Sequence, residues 1–227
     1  MDYIMSDLHG QYDKYIAMIR RLDLQKDDTL YILGDTVDRG PEGIRILFDL
    51  MTRKNVVVLR GNHDWTAYKL LKQVAEGSPS VKSTEFTEAF ALWLEDGGSS
   101  TWEEFKVLAP LERTEVLRFI DSFVLFEELT VDGRQYFLSH SVPEAERFND
   151  SSRWVLDDFL WGKPDYGTVY DESMVIVTGH TPTDLIEEGY EGRIWKKNNH
   201  IAIDCGAGFG GPVGCICLQT GEEFYQR

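Results

Sequence analysis

The sequence predicts an α/β fold in which β-strands and α-helices alternate along the chain. Short apolar runs with the length of a buried strand recur, and segments with helical periodicity lie between them. Several apolar runs end directly in Asp, Asn or His. The 227 residues, 42% hydrophobic and 27% charged, are enough for a sizeable core and contain no low-complexity linker, so we expect one domain spanning residues 1–227.

The first 62 residues show the strand–helix alternation most clearly. We predict strands at residues 3–5, 30–33 and 56–59. Helices are predicted over 13–22 and 41–51, because their apolar side chains repeat at three- and four-residue intervals. Pro41 suits the first turn of a helix, where its missing N–H costs nothing. This order favours an α/β sandwich built from βαβ units.

Residues 66 to about 122 differ in character from the segments around them. Helical patterns dominate there, with a Gly-Ser-Pro-Ser break at 77–80 and a glycine pair at 97–98. We interpret this region as a helical insertion within the same domain. Because it directly follows a polar motif, we expect it to border the functional site.

The second half of the chain is predicted to be richer in strands. The Asp132-Gly133 pair indicates a hairpin between strands at 123–131 and 134–138. Further strands are predicted at 174–177 and 200–203, followed by a final hairpin of 214–218 with 222–225. Several of these strands again end in His or Asp.

Charge and apolar content exclude several classes of function. The net charge of −16 argues against a nucleic-acid or anionic-membrane partner, because such proteins carry a basic surface. No apolar run approaches the ~20 residues of a membrane helix, and a strand beginning by Tyr3 leaves no room for a signal peptide. We therefore expect a cytoplasmic protein whose three cysteines, Cys205, Cys215 and Cys217, are reduced and buried.

Six residues form a candidate ligand set for two divalent metal ions. Each follows an apolar run; they are Asp7, His9, Asp35, Asn62, His140 and His180. Ligands collect outside the carboxyl ends of strands in open α/β sheets, so these side chains are expected to converge. Carboxylate and imidazole ligands suit manganese, with iron and zinc as alternatives. Asp35 lies centrally among the motifs and has two oxygens, so it is the natural bridge between the two ions.

Four further residues are candidates for catalysis and phosphate binding. His63 adjoins Asn62 and suits a general acid, and Asp38 is placed to orient its imidazole. Arg39 offers a planar donor fork for phosphate oxygens. Arg60 is an equally good candidate for phosphate contact or for holding a loop. The chemistry expected is attack by metal-bound hydroxide on a phosphate ester, with His63 protonating the leaving group.

These motifs resemble the signatures of the metallophosphoesterase superfamily. The matching segments are Asp7-x-His9-Gly10, Gly34-Asp35-x-Val37-Asp38-Arg39-Gly40, Gly61-Asn62-His63-Asp64, His140 and Gly179-His180-Thr181. The Asp38-Arg39-Gly40 extension is similar to that of the phosphoprotein phosphatase branch. The length of the chain is similar to that of the compact bacterial and phage serine/threonine phosphatases in this branch. Trp93, Gly97-Gly98 and Thr101 also match those members. The resemblance implies a β-sandwich flanked by helices, with the metal site at the C-terminal ends of the strands.

The resemblance also implies a division of roles among the candidate residues. Asp7, His9 and Asp35 would hold one metal ion. The second would be held by Asp35, Asn62, His140 and His180. His63 with Asp38 would donate the proton, and Arg39 would bind phosphate.

Three departures from the family pattern affect what the resemblance implies. Ser141-Val142 stands where Ala-Gly is common, and Asp96 stands where Asn is common. A second phosphate-binding arginine is expected between the last two histidine motifs, and Arg153 and Lys163 are the imperfect candidates there. The difference at this second arginine is the one that affects the choice of substrate.

The predicted substrate is a phosphoserine or phosphothreonine protein, with a phosphorylated small molecule as the other class. The alternative enzyme is a dinucleoside polyphosphate hydrolase acting on diadenosine tetraphosphate. A cyclic nucleotide phosphodiesterase is disfavoured by the Asp38-Arg39-Gly40 extension. A catalytically dead scaffold is disfavoured because all six ligands and His63 are present. His200 and Asp204 fall outside the set and are interpreted as structural.

Overall fold

A computed structural model describes all residues, 1–227, and contains ten strands and nine α-helices. The strands are β1 Asp2–Met5, β2 Thr29–Ile32, β3 Val56–Val58, β4 Phe126–Val131, β5 Arg134–Ser139, β6 Met174–Thr178, β7 Trp195–Lys197, β8 His200–Ala202, β9 Val213–Cys217 and β10 Glu223–Gln226. The helices are α1 Tyr12–Leu22, α2 Gly43–Met51, α3 Asn62–Ala75, α4 Thr84–Trp93, α5 Ser99–Phe105, α6 Pro110–Asp121, α7 Ala145–Phe148, α8 Leu156–Leu160 and α9 Thr183–Ile186.

The strands form two mixed sheets of five strands each. The first has the order β10-β9-β1-β2-β3, in which β1, β2 and β3 run parallel and β9 and β10 are antiparallel additions. The second has the order β4-β5-β6-β8-β7, in which β5, β6 and β8 run parallel. Each sheet therefore presents the carboxyl ends of three parallel strands along one edge, where ligands collect in α/β folds.

Three apolar clusters hold the layers together. The side chains of β1 alternate, with Ile4 in the cluster between the two sheets and Met5 in the cluster under helices α1, α2, α3 and α6. In β5, Leu138 faces the other sheet while Phe137 packs against α7 and α8. This two-residue alternation is what a sheet covered on both faces requires. The predicted β-sandwich flanked by helices is confirmed.

The predicted strands match the observed ones, with informative differences at their ends. The strand predicted from residue 123 begins at Phe126, because Val124 instead forms an isolated bridge with Leu59, the residue after β3. The helix predicted from Pro41 begins at Gly43. Strand β7 was not predicted; its three residues form the sheet edge, where pairing with β8 imposes extended backbone.

Helices α3 to α6 occupy the stretch between β3 and β4, and no strand lies within it. Ser83 caps α4, its hydroxyl oxygen accepting a hydrogen bond from the Phe86 N–H at 3.1 Å. Between α4 and α5 the chain makes a wide turn at Leu94–Gly98, in which Gly97 has a φ of 104°. This turn brings the insertion back against the polar residues that follow β2.

None of the nine helices combines the length and the apolar character needed to cross a membrane.

Candidate metal centre and its surroundings

The strand ends bring the predicted ligands together from both sheets. Asp7, Asp35 and Asn62 follow β1, β2 and β3 of the first sheet, while His140 and His180 follow β5 and β6 of the second. Residues separated by more than 170 positions thereby meet: the backbone N–H of His180 donates to Asp7 Oδ2 at 3.1 Å. The carboxyl-end edges of the two sheets form one site.

Asn62, His140 and His180 make the tightest group. His140 Nδ1 lies 2.7 Å from the carbonyl oxygen of Leu33, which can only accept, so Nδ1 carries the proton and Nε2 presents a lone pair. That Nε2 lies 2.9 Å from Asn62 Oδ1 and 3.2 Å from His180 Nδ1. Asn62 Oδ1 is in turn 3.0 Å from His180 Nδ1. The lone pairs of Asn62 Oδ1 and His140 Nε2 thus face each other, and a cation bound between them would accept both.

Asp35 lies between this group and His9. Its Oδ2 is 3.6 Å from His140 Nε2 and 3.6 Å from His9 Nε2. His9 is oriented in the same manner as His140, with Nδ1 3.1 Å from the carbonyl oxygen of Val37. Potential ligand atoms of Asp7, Asp35 and His140 lie within 4.8 Å of one another, as do those of His9, Asp35 and His63. Asp35 belongs to both clusters, which agrees with the bridging role predicted for it.

The electrostatics of these buried groups fit a divalent cation. Burial, and then the charges of Asp204 and Asp35, raise the pKa of Asp7 well above its usual value. Burial lowers the pKa of His9 to about 3 and that of His180 to about 4, so both are neutral, which is the form that binds metal. Burial acts to raise the pKa of Asp35, but His140 and three other histidines outweigh it and hold that pKa below its usual range.

His63 and Asp38 form a buried hydrogen-bonded pair beside the ligands. His63 Nδ1 lies 2.9 Å from Asp38 Oδ2, which leaves Nε2 directed toward Arg39. Burial lowers the pKa of His63, but the charge of Asp35 and the hydrogen bond and charge of Asp38 outweigh it and raise that pKa to about 9. The imidazole therefore holds a proton near neutrality, as a general acid must.

Two residues of the helical insertion hold Asp38 in place. The Trp93 indole N–H donates to Asp38 Oδ2 at 2.8 Å, and the Thr101 hydroxyl donates to Asp38 Oδ1 at 2.6 Å. Thr101 Oγ1 also accepts from the Asp38 N–H at 2.9 Å. The insertion borders the site as expected. Trp93 is buried, and the sequence patterns did not predict its hydrogen bond to Asp38.

Arg39 bridges two histidines of the site. Its Nη1 lies 2.8 Å from His9 Nε2 and its Nη2 lies 3.0 Å from His63 Nε2. Its backbone N–H donates to the Gly97 carbonyl oxygen at 2.9 Å, so the wide turn of the insertion holds its main chain. This backbone contact places the guanidinium beside the metal-ligand cluster, where it would meet a phosphate bound there.

Six residues of the site have left-handed backbone conformations that side chains rarely adopt. Their φ angles lie between 42° and 70°, and they are Asp7, His9, Asp35, Asp38, Arg39 and His180. A non-glycine residue held in this region costs roughly 1–3 kcal/mol. Such conformations persist where the surrounding structure imposes them, and they often cluster at functional sites.

Asp64 is a supporting residue whose role the sequence did not show. Its Oδ2 accepts from the backbone N–H groups of Asp35 and Gly61, and its Oδ1 accepts from the N–H and the hydroxyl of Thr36. A single buried carboxylate thus ties the loop after β2 to the start of α3. Its position within the Gly-Asn-His-Asp motif was the available signal. Gly61 permits this contact, because a Cβ there would collide with the Asp35 carboxylate.

The structure does not bring Arg60 into the cluster. Its Nη2 donates to the Asp121 carbonyl oxygen at 2.7 Å, and the guanidinium lies over the Trp65 ring, 4.7 Å from its centroid. These contacts fit the loop-holding alternative. Arg153 and Lys163 are both exposed, and neither side chain makes a hydrogen bond or an ion pair. The carbonyl oxygen of Gly162, next to Lys163, accepts from the Ser141 hydroxyl at 2.9 Å, so that segment abuts the loop after His140.

Asp204 and His200 are both buried. Asp204 accepts from the Gly206 N–H at 2.9 Å, and burial raises its pKa to about 7. His200 Nε2 lies 2.8 Å from the Thr178 hydroxyl, among the rings of Tyr166, Tyr170 and Trp195. These contacts agree with a structural role for His200, whereas Asp204 also contributes charge to the metal-ligand cluster.

The donor set can support hydrolysis of a phosphate ester or anhydride. Divalent ions bound by it would polarise a phosphoryl oxygen and lower the pKa of an attacking water. Arg39 is placed to bind and orient the phosphoryl group. His63, oriented by Asp38, is placed to release a proton to the departing oxygen.

The comparisons with known proteins agree with this site. Residues 3–203 match the calcineurin-like phosphoesterase family. The chain is 29% identical to the asymmetrical bis(5'-nucleosyl)-tetraphosphatase of Bacillus velezensis, covering 92% of this chain and 86% of that protein. The corresponding protein of a Geobacillus species is 24% identical over 92% of this chain and 87% of its own.

A solved structure described as a candidate diadenosine tetraphosphatase has the same fold. It superposes with a TM-score of 0.66 at 16% identity, covering 99% of this chain and 91% of that one. At that identity the likeness concerns the fold alone. The match over residues 3–203, together with the convergence of acid and imidazole ligands, places this chain in the calcineurin-like phosphoesterase family as a metal-dependent phosphoesterase.

Proposed function

We propose that this protein hydrolyses dinucleoside polyphosphates, with an asymmetric cut that releases a nucleoside monophosphate and a nucleoside triphosphate from a tetraphosphate bridge. The observation that carries the proposal is the similarity to a named asymmetrical tetraphosphatase along 92% of the chain. It favours this substrate over the phosphoprotein that the sequence motifs predicted. The motifs are shared between both kinds of enzyme, so they do not separate them.

The charge distribution around the site supports a small polyanionic substrate. The chain carries a net charge of −16, and the guanidinium of Arg39 is a positive group placed directly beside the metal-ligand cluster of this acidic protein. A polyphosphate bridge gains more from such a focused positive site than a singly phosphorylated peptide does. Metal ions held by the six ligands would add to this field.

We assign the roles of the site residues as follows. Asp7, His9 and Asp35 hold one ion; Asp35, Asn62, His140 and His180 hold the other, with manganese as the expected metal. Arg39 binds the phosphoryl group that is attacked, and His63 with Asp38 protonates the leaving oxygen. Two ions held by these residues would supply electrostatic stabilisation of the attacking and leaving oxygens.

A comparison of substrates tests the proposal. The value of kcat/KM is measured with manganese for diadenosine tetraphosphate, a phosphoserine peptide and a cyclic nucleotide. We expect the highest value for diadenosine tetraphosphate, with AMP and ATP as products on chromatography. A higher value for the phosphopeptide would establish a protein phosphatase instead. Release of ADP alone would retain the substrate class but overturn the asymmetric cut.

A further inference from the structure

A cleft of about 380 Å³ lies beside the metal centre and contains none of its ligands. It runs between the loop after His180 and the turn after β8, and is bordered by Pro182, Leu185 and Phe209. Its volume is within the range of small-ligand sites, about 300–1,000 Å³. None of the catalytic roles assigned above uses it.

The cleft joins the site through Phe209 and Arg39. The Arg39 guanidinium lies over the Phe209 ring, 4.4 Å from its centroid, while its Nη groups contact His9 and His63. Gly208 lets this turn approach closely, because a Cβ there would lie 2.5 Å from His9 Cδ2. A group bound in the cleft is therefore separated from the phosphate site by the width of one guanidinium.

The walls of the cleft suit a flat, partly apolar ligand with hydrogen-bond donors. Phe209 and Leu185 are 69% and 75% exposed, so their apolar surfaces are open to a ligand in the cleft. Asp184 and Glu191 line the same cleft and offer acceptors to amine and hydroxyl groups. Their negative charges repel phosphate, which directs the phosphate end of a ligand toward Arg39.

The turn that carries Phe209 is short and internally bonded. The N–H groups of Phe209 and Gly211 both donate to the Gly206 carbonyl oxygen at 2.9 Å. The stacked guanidinium holds one face of the ring. A ring that is ordered before the ligand arrives gives up less entropy on binding.

We propose that this cleft is a nucleoside subsite, in which the base packs against Phe209 and Leu185 while the attached phosphate lies at Arg39. The base and ribose donate to Asp184 and Glu191. The inference rests on the proposed function, because a nucleoside linked through phosphate is what that substrate presents at this position. It adds Phe209 and Leu185 as residues that determine specificity.

Calorimetric binding of two matched ligands isolates the contribution of the base: they are AMP and ribose 5-phosphate, each used as its methylene phosphonate, whose P–C bond is not hydrolysed. The measured quantity is the ratio of their dissociation constants for the manganese-loaded protein. We expect AMP to bind about 10-fold more tightly than ribose 5-phosphate, in line with the strength of base–aromatic stacking. Phe209→Ala and Leu185→Ala should each bring the ratio close to one, whereas Phe209→Trp should preserve it.

Leu111→Ala is the matched control, because Leu111 is 69% exposed and lies outside the cleft. It should leave the ratio at the wild-type value. A wild-type ratio near one, or a ratio that Phe209→Ala and Leu185→Ala leave unchanged, overturns the subsite. Because binding is measured without turnover, a protein that discriminates in favour of AMP but fails to cleave diadenosine tetraphosphate would refute the proposed function and not the subsite.

Discussion

Asp38 Oδ2 lies 2.9 Å from His63 Nδ1, and this contact determines which nitrogen of the imidazole faces the reaction. Nδ1 is committed to the carboxylate, so Nε2 is the atom available to a substrate. The same Oδ2 accepts from Trp93, and Oδ1 accepts from Thr101, so the orientation of His63 depends on residues of the helical insertion. The acid is therefore assembled from three parts of the chain that are distant in sequence.

Replacement of His63 should distinguish an ester substrate from an anhydride. We expect His63→Asn to lower kcat on an alkyl phosphomonoester about 10²- to 10⁴-fold, the usual range for a lost general acid. A nucleotide leaves from an anhydride with little need for a proton, so the loss on diadenosine tetraphosphate should be at least 10-fold smaller. Steady-state kinetics on both substrates measure the difference. An unchanged kcat on the alkyl ester would refute the assignment of His63.

Trp93 and Thr101 should act as positioning residues. Trp93→Phe removes one hydrogen bond to Asp38 and Thr101→Val removes two, and each variant should lower kcat on alkyl phosphates about 10-fold. The loss should be smaller on p-nitrophenyl phosphate, whose leaving group needs little protonation. A purely structural effect would lower both rates equally, so the ratio of the two losses is the measurement that separates the roles.

Removal of metal should destabilise the protein as well as inactivate it. Asp7, Asp35 and Asp204 are buried together, and a bound cation offsets their mutual repulsion. We expect chelation to lower the melting temperature by several degrees, with recovery of both stability and activity on addition of manganese. The Asp35→Asn variant should retain its fold yet show a smaller metal-dependent rise in melting temperature. Equal rises in variant and wild type would argue against Asp35 as a ligand.

Asp96 should weaken binding of polyanionic substrates. Its Oδ2 lies 3.8 Å from His63 Nε2, on an exposed side chain at the mouth of the site. Interactions of exposed charges are worth roughly 0.2–1 kcal/mol. Asp96→Asn should therefore lower KM for diadenosine tetraphosphate about 2-fold at low ionic strength, and less in high salt. Asp132→Asn, which alters an exposed turn between β4 and β5, serves as the control.

His200 should make the protein less stable in acid. Burial lowers the pKa of His200 to about 3, below the value of ~6.5 for an unfolded histidine, so protons bind preferentially to the unfolded chain. The contribution of His200 to the free energy of unfolding is present above pH ~6.5 and is lost as the pH falls toward 3. Between pH 7 and pH 5 the loss is about 2 kcal/mol. Urea unfolding of wild type and His200→Gln at both pH values measures it. The variant should lose less stability, and equal losses would contradict the prediction.

The sequence alone determined the fold class and the candidate ligands. Apolar runs of strand length that end in Asp, Asn or His predict both the strands and the edge at which polar groups collect, because both follow from local periodicity. Asp7, His9, Asp35, Asn62, His140 and His180 all lie at the places that this reasoning predicts. The family resemblance added their roles, but it did not separate a phosphoprotein from a dinucleotide substrate.

The tertiary structure decided what depends on long-range contact. Three sets of contacts join segments that are distant in the chain, and none has a periodic signal in the sequence. They are the hydrogen bonds of Trp93 and Thr101 to Asp38, those of Asp64 to the loop after β2, and the stacking of Arg39 on Phe209. Arg60 shows the converse: it lies two residues after the end of β3, close to the ligand Asn62, yet its guanidinium lies on Trp65. Local patterns specify which side chains reach the end of a strand, but the direction of a long side chain depends on the neighbours that the complete fold supplies.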